Sequence, residues 1–157
     1  YIKLLPFMSF VVKGKYGVLN SFWGKVEDIP FGERFFPGGI SLDGQIRGYV
    51  DRSVGPTDTY QDSLGEAHTF RPGGRAVFVG SSELRFTAIP QQLYFSLFAD
   101  AGDAWLTPEE TTYRDLKKSM GVGIRFVIPM MGMIGFDLGY SFEHKDYELH
   151  FQVGPEQ

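Results

Sequence analysis

Apolar and polar side chains alternate with a period of two in six separate stretches of this chain. That period belongs to extended strands whose two faces meet different surroundings. In roughly residues 7–19, Met8, Phe10, Val12, Tyr16 and Val18 share one face, opposite Ser9, Lys13, Lys15 and Gly17. About 76–89, Ala76, Phe78, Leu84, Phe86 and Ala88 oppose Ser81, Glu83, Arg85 and Thr87. About 93–104, Leu93, Phe95, Leu97 and Ala99 alternate with Tyr94, Ser96, Phe98 and Asp100. The pattern is clearest about 116–128, where Met120, Val122, Ile124, Phe126 and Ile128 oppose Lys117, Ser119, Gly121, Gly123 and Arg125. About 133–142, Ile134, Phe136, Leu138, Tyr140 and Phe142 oppose Gly135, Asp137, Gly139 and Ser141. About 147–153, Tyr147, Leu149, Phe151 and Val153 oppose Glu148, His150 and Gln152.

Short connections at Pro90–Gln92, Pro129–Gly132 and Glu143–Asp146 suit neighbouring antiparallel strands. Residues 104–115 form a moderate loop, and residues 20–75 a long one rich in Gly, Pro, Asp and Ser. A connection that long within a compact unit usually carries function. Tight turns alternating with long loops are the habit of outer-membrane barrels. With 15 Phe and 20 Gly among 157 residues, composition also favours strands and turns over helices. No run of apolar residues is long enough for a transmembrane helix, which leaves membrane-crossing strands open. A net charge of −4 gives no basic footprint for nucleic acid, and the absence of Cys excludes disulfides and thiolate metal sites.

Alternation alone does not say which face is inside. A small barrel has an interior just wide enough for its side chains. The bulky apolar set would overfill such an interior, whereas the opposite set is rich in Gly and Ser. That second set also carries Lys13, Lys15, Glu83, Arg85, Asp100, Lys117, Arg125, Asp137 and Glu148, nearly balanced in sign. Both features place the polar face in a wet lumen and the apolar face against lipid. Tyr94, Tyr140, Tyr147, Trp23 and Trp105 fall near strand ends, where interfacial aromatic girdles would sit. Six strands are too few for a membrane barrel, and open edges do not face hydrocarbon. The chain is therefore expected to be the tail of a larger barrel, the alternatives being strands gained from its long loop or from another copy. With Tyr1 first and no leader pattern, it reads as a processed protein or a fragment of something longer.

Within the long connection, Gly32-Glu33-Arg34-Phe35-Phe36-Pro37-Gly38-Gly39 precedes Ile46-Arg47-Gly48-Tyr49 and Gly55-Pro56. Ser81-Ser82-Glu83-Leu84-Arg85-Phe86 and Phe98-Ala99-Asp100-Ala101-Gly102-Asp103-Ala104-Trp105 follow in order. In this ordered set the chain resembles the BamA-type family of outer-membrane assembly factors, with its relatives in two-partner secretion and organelle import. The resemblance covers roughly residues 30–157 and implies an all-β fold: an antiparallel transmembrane β-barrel. Residues 1–157 would be one segment, the C-terminal strands of a larger barrel of about 16 strands, with loop 20–75 folded inward. It further implies that loop-tip Arg47, with Gly48 and Tyr49, is clamped in the lumen by Glu83 and Asp100.

The residue chemistry fits that implication independently. A guanidinium fork suits two carboxylates at once. Gly48 permits a tight turn or close approach to the wall, and Tyr49 packs well once its hydroxyl is satisfied. The family's barrels usually end in an aromatic residue, whereas position 157 here is Gln. The last strand nevertheless keeps Leu149, Phe151, Val153 and Gly154 in pattern, and the resemblance makes it one side of a seam that opens laterally.

The implied function is insertion of β-barrel clients into the bacterial outer membrane. Its partners would be membrane lipid, unfolded clients, accessory lipoproteins and periplasmic domains of the full-length chain. The alternatives are a related two-partner-secretion transporter, a soluble ligand-binding β-barrel and an outer-membrane hydrolase. Against the last, His68, His144 and His150 form no nucleophile-elbow triad or helical metal pair. Glu83 with Asp100 could form an acid/base pair, but an Arg47 partner would keep both ionised. No catalytic residue, metal site or cofactor is expected.

Overall fold

The computed structural model describes residues 2–20, 29–129 and 132–154. Among the described residues, seven strands build one antiparallel sheet: β1 (Ile2–Leu5), β2 (Met8–Val18), β5 (Ala76–Ile89), β6 (Leu93–Trp105), β7 (Lys117–Ile128), β8 (Gly132–Ser141) and β9 (Asp146–Gly154). They lie side by side in that order, each hydrogen-bonded to its neighbours. A separate two-stranded hairpin, β3 (Asp58–Gln61) with β4 (Ala67–Phe70), projects from the β2–β5 connection. The sheet is a partial β-barrel that does not close; among the described residues, β1 and β9 are its edges.

Register turns the alternation of each strand into continuous rows. On the outer face, Phe10, Leu84, Leu97, Val122, Leu138 and Leu149 are successive cross-strand partners from β2 to β9. A parallel row joins Met8, Phe86, Phe95, Ile124, Phe136 and Phe151. The exposure of Leu97 (50%), Val122 (51%), Phe95 (46%) and Phe151 (55%) shows these rows facing away from the protein. An apolar band across six strands far exceeds the isolated patches a soluble surface tolerates. The soluble-barrel alternative required these side chains inside, and they are outside.

The inner rows are polar and small. One runs Ser81, Asp100, Ser119 and Ser141; another runs Ser9, Arg85, Ser96, Gly123, Asp137 and His150. Between them lie Glu83, Phe98, Gly121, Gly139 and Glu148. These small side chains leave a trough, which the long connection fills. A cluster of Ile46, Tyr49, Val54, Val77, Val79 and Ala104, with Phe35 against it, packs the loop onto the wall.

Among the described residues, three strands lie outside the six expected stretches. β1 is four residues long with every side chain exposed, too short to show a period. The hairpin β3–β4 falls inside residues expected to be irregular, and it is exposed along both strands. With solvent on both faces, nothing selects for alternation there. The girdle expectation is corrected at two residues. Tyr94 faces inward, its hydroxyl 3.3 Å from Met133 Sδ and its ring under the Arg85 guanidinium. Trp105 is only 9% exposed. Tyr140 and Tyr147 do pack together on the outer face, with ring centroids 5.0 Å apart. Trp23 and Gln157 lie outside the described residues.

Candidate functional site

The site is the seat of the loop tip on the inner wall. The loop turns back on itself through paired hydrogen bonds between Gly39 and Ile46, each 3.0 Å, with Gly38 and Gly39 at φ +121° and +56°. The Asp43 carboxylate accepts the Phe36 amide at 2.9 Å, and Asp51 accepts the Ile40 amide at 2.7 Å. At its base, Phe35 pairs with Gly74 across two 2.8 Å hydrogen bonds. This internally braced turn presents Arg47 to the sheet.

Arg47 is 1% exposed. Its Nε donates to Asp100 Oδ2 at 2.8 Å and its Nη2 to Asp100 Oδ1 at 2.9 Å, a two-pronged contact. The Arg47 backbone amide also donates to Asp100 Oδ2, at 3.0 Å. Ser81 Oγ donates to Asp100 Oδ1 at 2.6 Å and accepts from Arg47 Nη2 at 3.2 Å. The guanidinium carbon lies 3.5 Å from the centroid of the Phe98 ring, so an aromatic face supports the cation where water is excluded. Burial opposes the charge on Arg47, but the Asp100 hydrogen bond and the Asp137 and Glu83 carboxylates outweigh it. The proton is held more tightly than on an ordinary arginine.

The two carboxylates expected around Arg47 do not share it equally. Asp100 takes the direct contact, whereas Glu83 Oε2 stands 4.0 Å from Nη1. The other Glu83 oxygen lies 3.4 Å from Arg85 Nε. A third carboxylate, Asp137 on β8, approaches Arg47 Nη1 to 3.7 Å and binds Arg125 Nη2 at 2.6 Å. Three arginines and three acids thus alternate across β5 to β8 and the loop. Asp137 already fell on the inward face by parity, but nothing local marked it as a partner of Arg47.

Gly48 has φ +93°, and a Cβ there would stand 3.0 Å from the Tyr140 carbonyl carbon. The wall reciprocates: a Cβ on Gly139 would lie 2.7 Å from the Arg47 carbonyl carbon. A glycine on each side therefore lets two backbones touch. The Gly48 amide donates to His150 Nε2 at 3.2 Å. Tyr49 is 3% exposed; its hydroxyl donates to the Lys118 carbonyl at 3.3 Å and its ring meets His144 edge-on. Ser81, Phe98, Asp137, Gly139 and His150 were not among the expected site residues. On β9, Leu149, Phe151 and Val153 point outward at 67%, 55% and 64% exposure, and Gly154 pairs with Met133.

Away from this seat, Asp62, Glu66 and His68 bring one potential ligand atom each to within 4.8 Å of one another, at the exposed hairpin tip. Asp62 Oδ1 is occupied there by the backbone amides of Leu64 and Glu66, at 2.9 and 3.0 Å.

The Omp85 superfamily domain matches residues 1–156. An outer membrane protein assembly factor BamA from Neisseria meningitidis serogroup B (strain ATCC BAA-335 / MC58) is 31% identical over 123 residues. That match covers 76% of this chain and 14% of the relative's length. The matched domain takes in both the sheet and the loop seated on it, and the chain belongs to the Omp85 superfamily of the outer membrane.

Proposed function

We propose that this chain belongs to a non-enzymatic assembly factor that folds β-barrel clients into the outer membrane through a lateral seam. One observation carries it: a braced loop tip is held against the inner wall of a sheet whose edge strand β9 pairs, among the described residues, only with β8. The likeness to the meningococcal assembly factor supports the same function. An edge strand offers a row of backbone donors and acceptors, and an incoming strand pairs with them by addition. Hydrocarbon does not tolerate an open edge, so β9 must be covered either by another strand of the longer protein's barrel or by a client. The client's burial of apolar surface in lipid supplies the driving force, and no nucleotide or bond-breaking step is needed.

In this scheme Arg47 is the lock, seated on Asp100 with Glu83 and Asp137 nearby. Leu149, Phe151 and Val153 give the seam its lipid-facing side. Accessory lipoproteins and periplasmic domains would deliver clients. Depleting the intact protein should lower the folded amounts of several unrelated outer-membrane barrels together. Loss of one exported partner, with other barrels folding normally, would instead identify a dedicated secretion transporter.

A further inference from the structure

The contacts of the loop tip form a series across the sheet. Arg47 reaches Ser81 and Glu83 on β5, Asp100 on β6 and Asp137 on β8, and Tyr49 reaches the Lys118 carbonyl on β7. Among the described residues one hydrogen bond extends this series to the edge strand: Gly48 N–H to His150 Nε2. His150 is 5% exposed and stands beside Asp137 in the cross-strand register. Small neighbours make the contact possible. Gly139 lets the loop backbone lie against β8, one strand from His150, and Gly48 has no side chain to hold it off.

The acceptor is chemically particular. An imidazole accepts a hydrogen bond only through an unprotonated nitrogen, so the contact requires a neutral ring with its proton on Nδ1. Protonation would turn Nε2 into a donor facing another donor. We infer that His150 is the positioning residue that ties the loop tip to the edge strand β9, and that the tie holds only while its imidazole is neutral. The inference rests on the assembly reading in taking β9 as the seam strand; the tie itself does not depend on it. The charged groups around the ring are Asp137 on β8, Glu148 on its own strand, and Asp51 and Arg47 of the loop. A strand held by this bond would be held less firmly in acid, which couples seam freedom to pH.

Three forms of the intact protein in lipid vesicles test this: wild type, His150→Leu and His150→Gln. The glutamine carbonyl can accept at the reach of Nε2 and does not titrate. The readout is amide-exchange protection, corrected for intrinsic rates, of residues 46–49 and 146–154 at about pH 8 and about pH 5. Wild-type protection should fall about tenfold on acidification, the scale of one buried donor losing its acceptor. His150→Leu should be low at both pH values and His150→Gln high at both. Equal protection of His150→Leu and wild type at the higher pH would overturn the tie. So would an acid loss in His150→Gln matching that of wild type, an outcome that remains readable if the leucine variant fails to fold. Client insertion, measured in the same vesicles, separates the two ideas. The expected exchange pattern without insertion would sink the assembly function and leave the tie standing. Normal insertion with exchange indifferent to both variants would do the reverse.

Discussion

Ile46 to Tyr49 are buried without exception, whereas Asp58–Gln61 and Ala67–Phe70, further along the same connection, are exposed along their whole length. Both stretches are hairpin-like, and both are braced by an aspartate accepting backbone amides. They differ in what surrounds them. The first lies in a trough of Gly and Ser and meets a charged wall. The second meets water on both sides and is held by its own turn and by Tyr60 packing on His68 and Phe70. Local chemistry can shape a turn, but only the wall fixes its place. Substitutions in the first stretch, or in the wall under it, should therefore move the loop, and substitutions in the second should not.

The largest effect is expected from Arg47→Ala. Asp100 then keeps Ser81, Glu83 keeps Arg85 and Asp137 keeps Arg125. Removing one member of a buried ion pair costs about 3–5 kcal/mol, and water entering the lumen would reduce it. Residues 29–54 should become protease-sensitive, and the barrel's heat-modifiable gel mobility should change. If neither responds, the contrast between the two stretches loses its main support. Gly139→Ala comes next, because it changes no charge and acts only through space. Its Cβ meets the Arg47 carbonyl carbon at 2.7 Å, and overpacking of this kind costs about 1–3 kcal/mol. The same protease assay should show partial release, and full protection would mean that the wall yields rather than the loop. Tyr49→Phe is milder. It deletes a 3.3 Å hydrogen bond and keeps the packing, a loss of about 1 kcal/mol measurable by denaturant titration.

The same contrast explains what could be seen in the sequence. β5 lies at Ala76–Ile89, where alternation puts a strand at about 76–89, because lipid and lumen impose opposite demands on neighbouring residues. Parity likewise puts Glu83, Asp100, Asp137 and His150 on one face, since a strand's side chains can point only two ways. Parity does not say which inward residues meet. That depends on register between strands far apart in sequence and on how deep the loop sits. Nothing in the sequence therefore marks Asp137 or His150 as partners of the loop, and Glu83 stands 4.0 Å from Arg47 rather than in the direct contact that Asp100 makes. Tyr94 carries two conflicting signals, a place near a strand end that suits a girdle and a parity shared with Ser96 and Asp100, and parity decides that it points inward. The β3–β4 hairpin leaves no such mark in the sequence: with one solvent on both faces, its residues carry no alternation to find.

The smallest effect belongs to that hairpin, and its sign can be worked out. The backbone amides of Glu66 and Leu64, followed by the neighbouring His68 ring, hold the Asp62 carboxyl below the ordinary carboxylate range. A carboxyl depressed in the folded state adds stability above its unfolded value of about 3.9, and that contribution disappears as pH falls through the lower, folded value. Exchange protection of residues 58–70 should therefore weaken on strong acidification in the wild-type protein. In Asp62→Asn it should vary little over the same range. Protection of residues 46–49 should pass through that low window without a step attributable to Asp62, whose carboxylate bonds run to Leu64, Glu66 and His68 within the hairpin. A loss of protection at 46–49 that follows Asp62, and vanishes in Asp62→Asn, would mean that the two stretches open together. The loop would then be one cooperative unit, and its apparent division would reflect exposure alone.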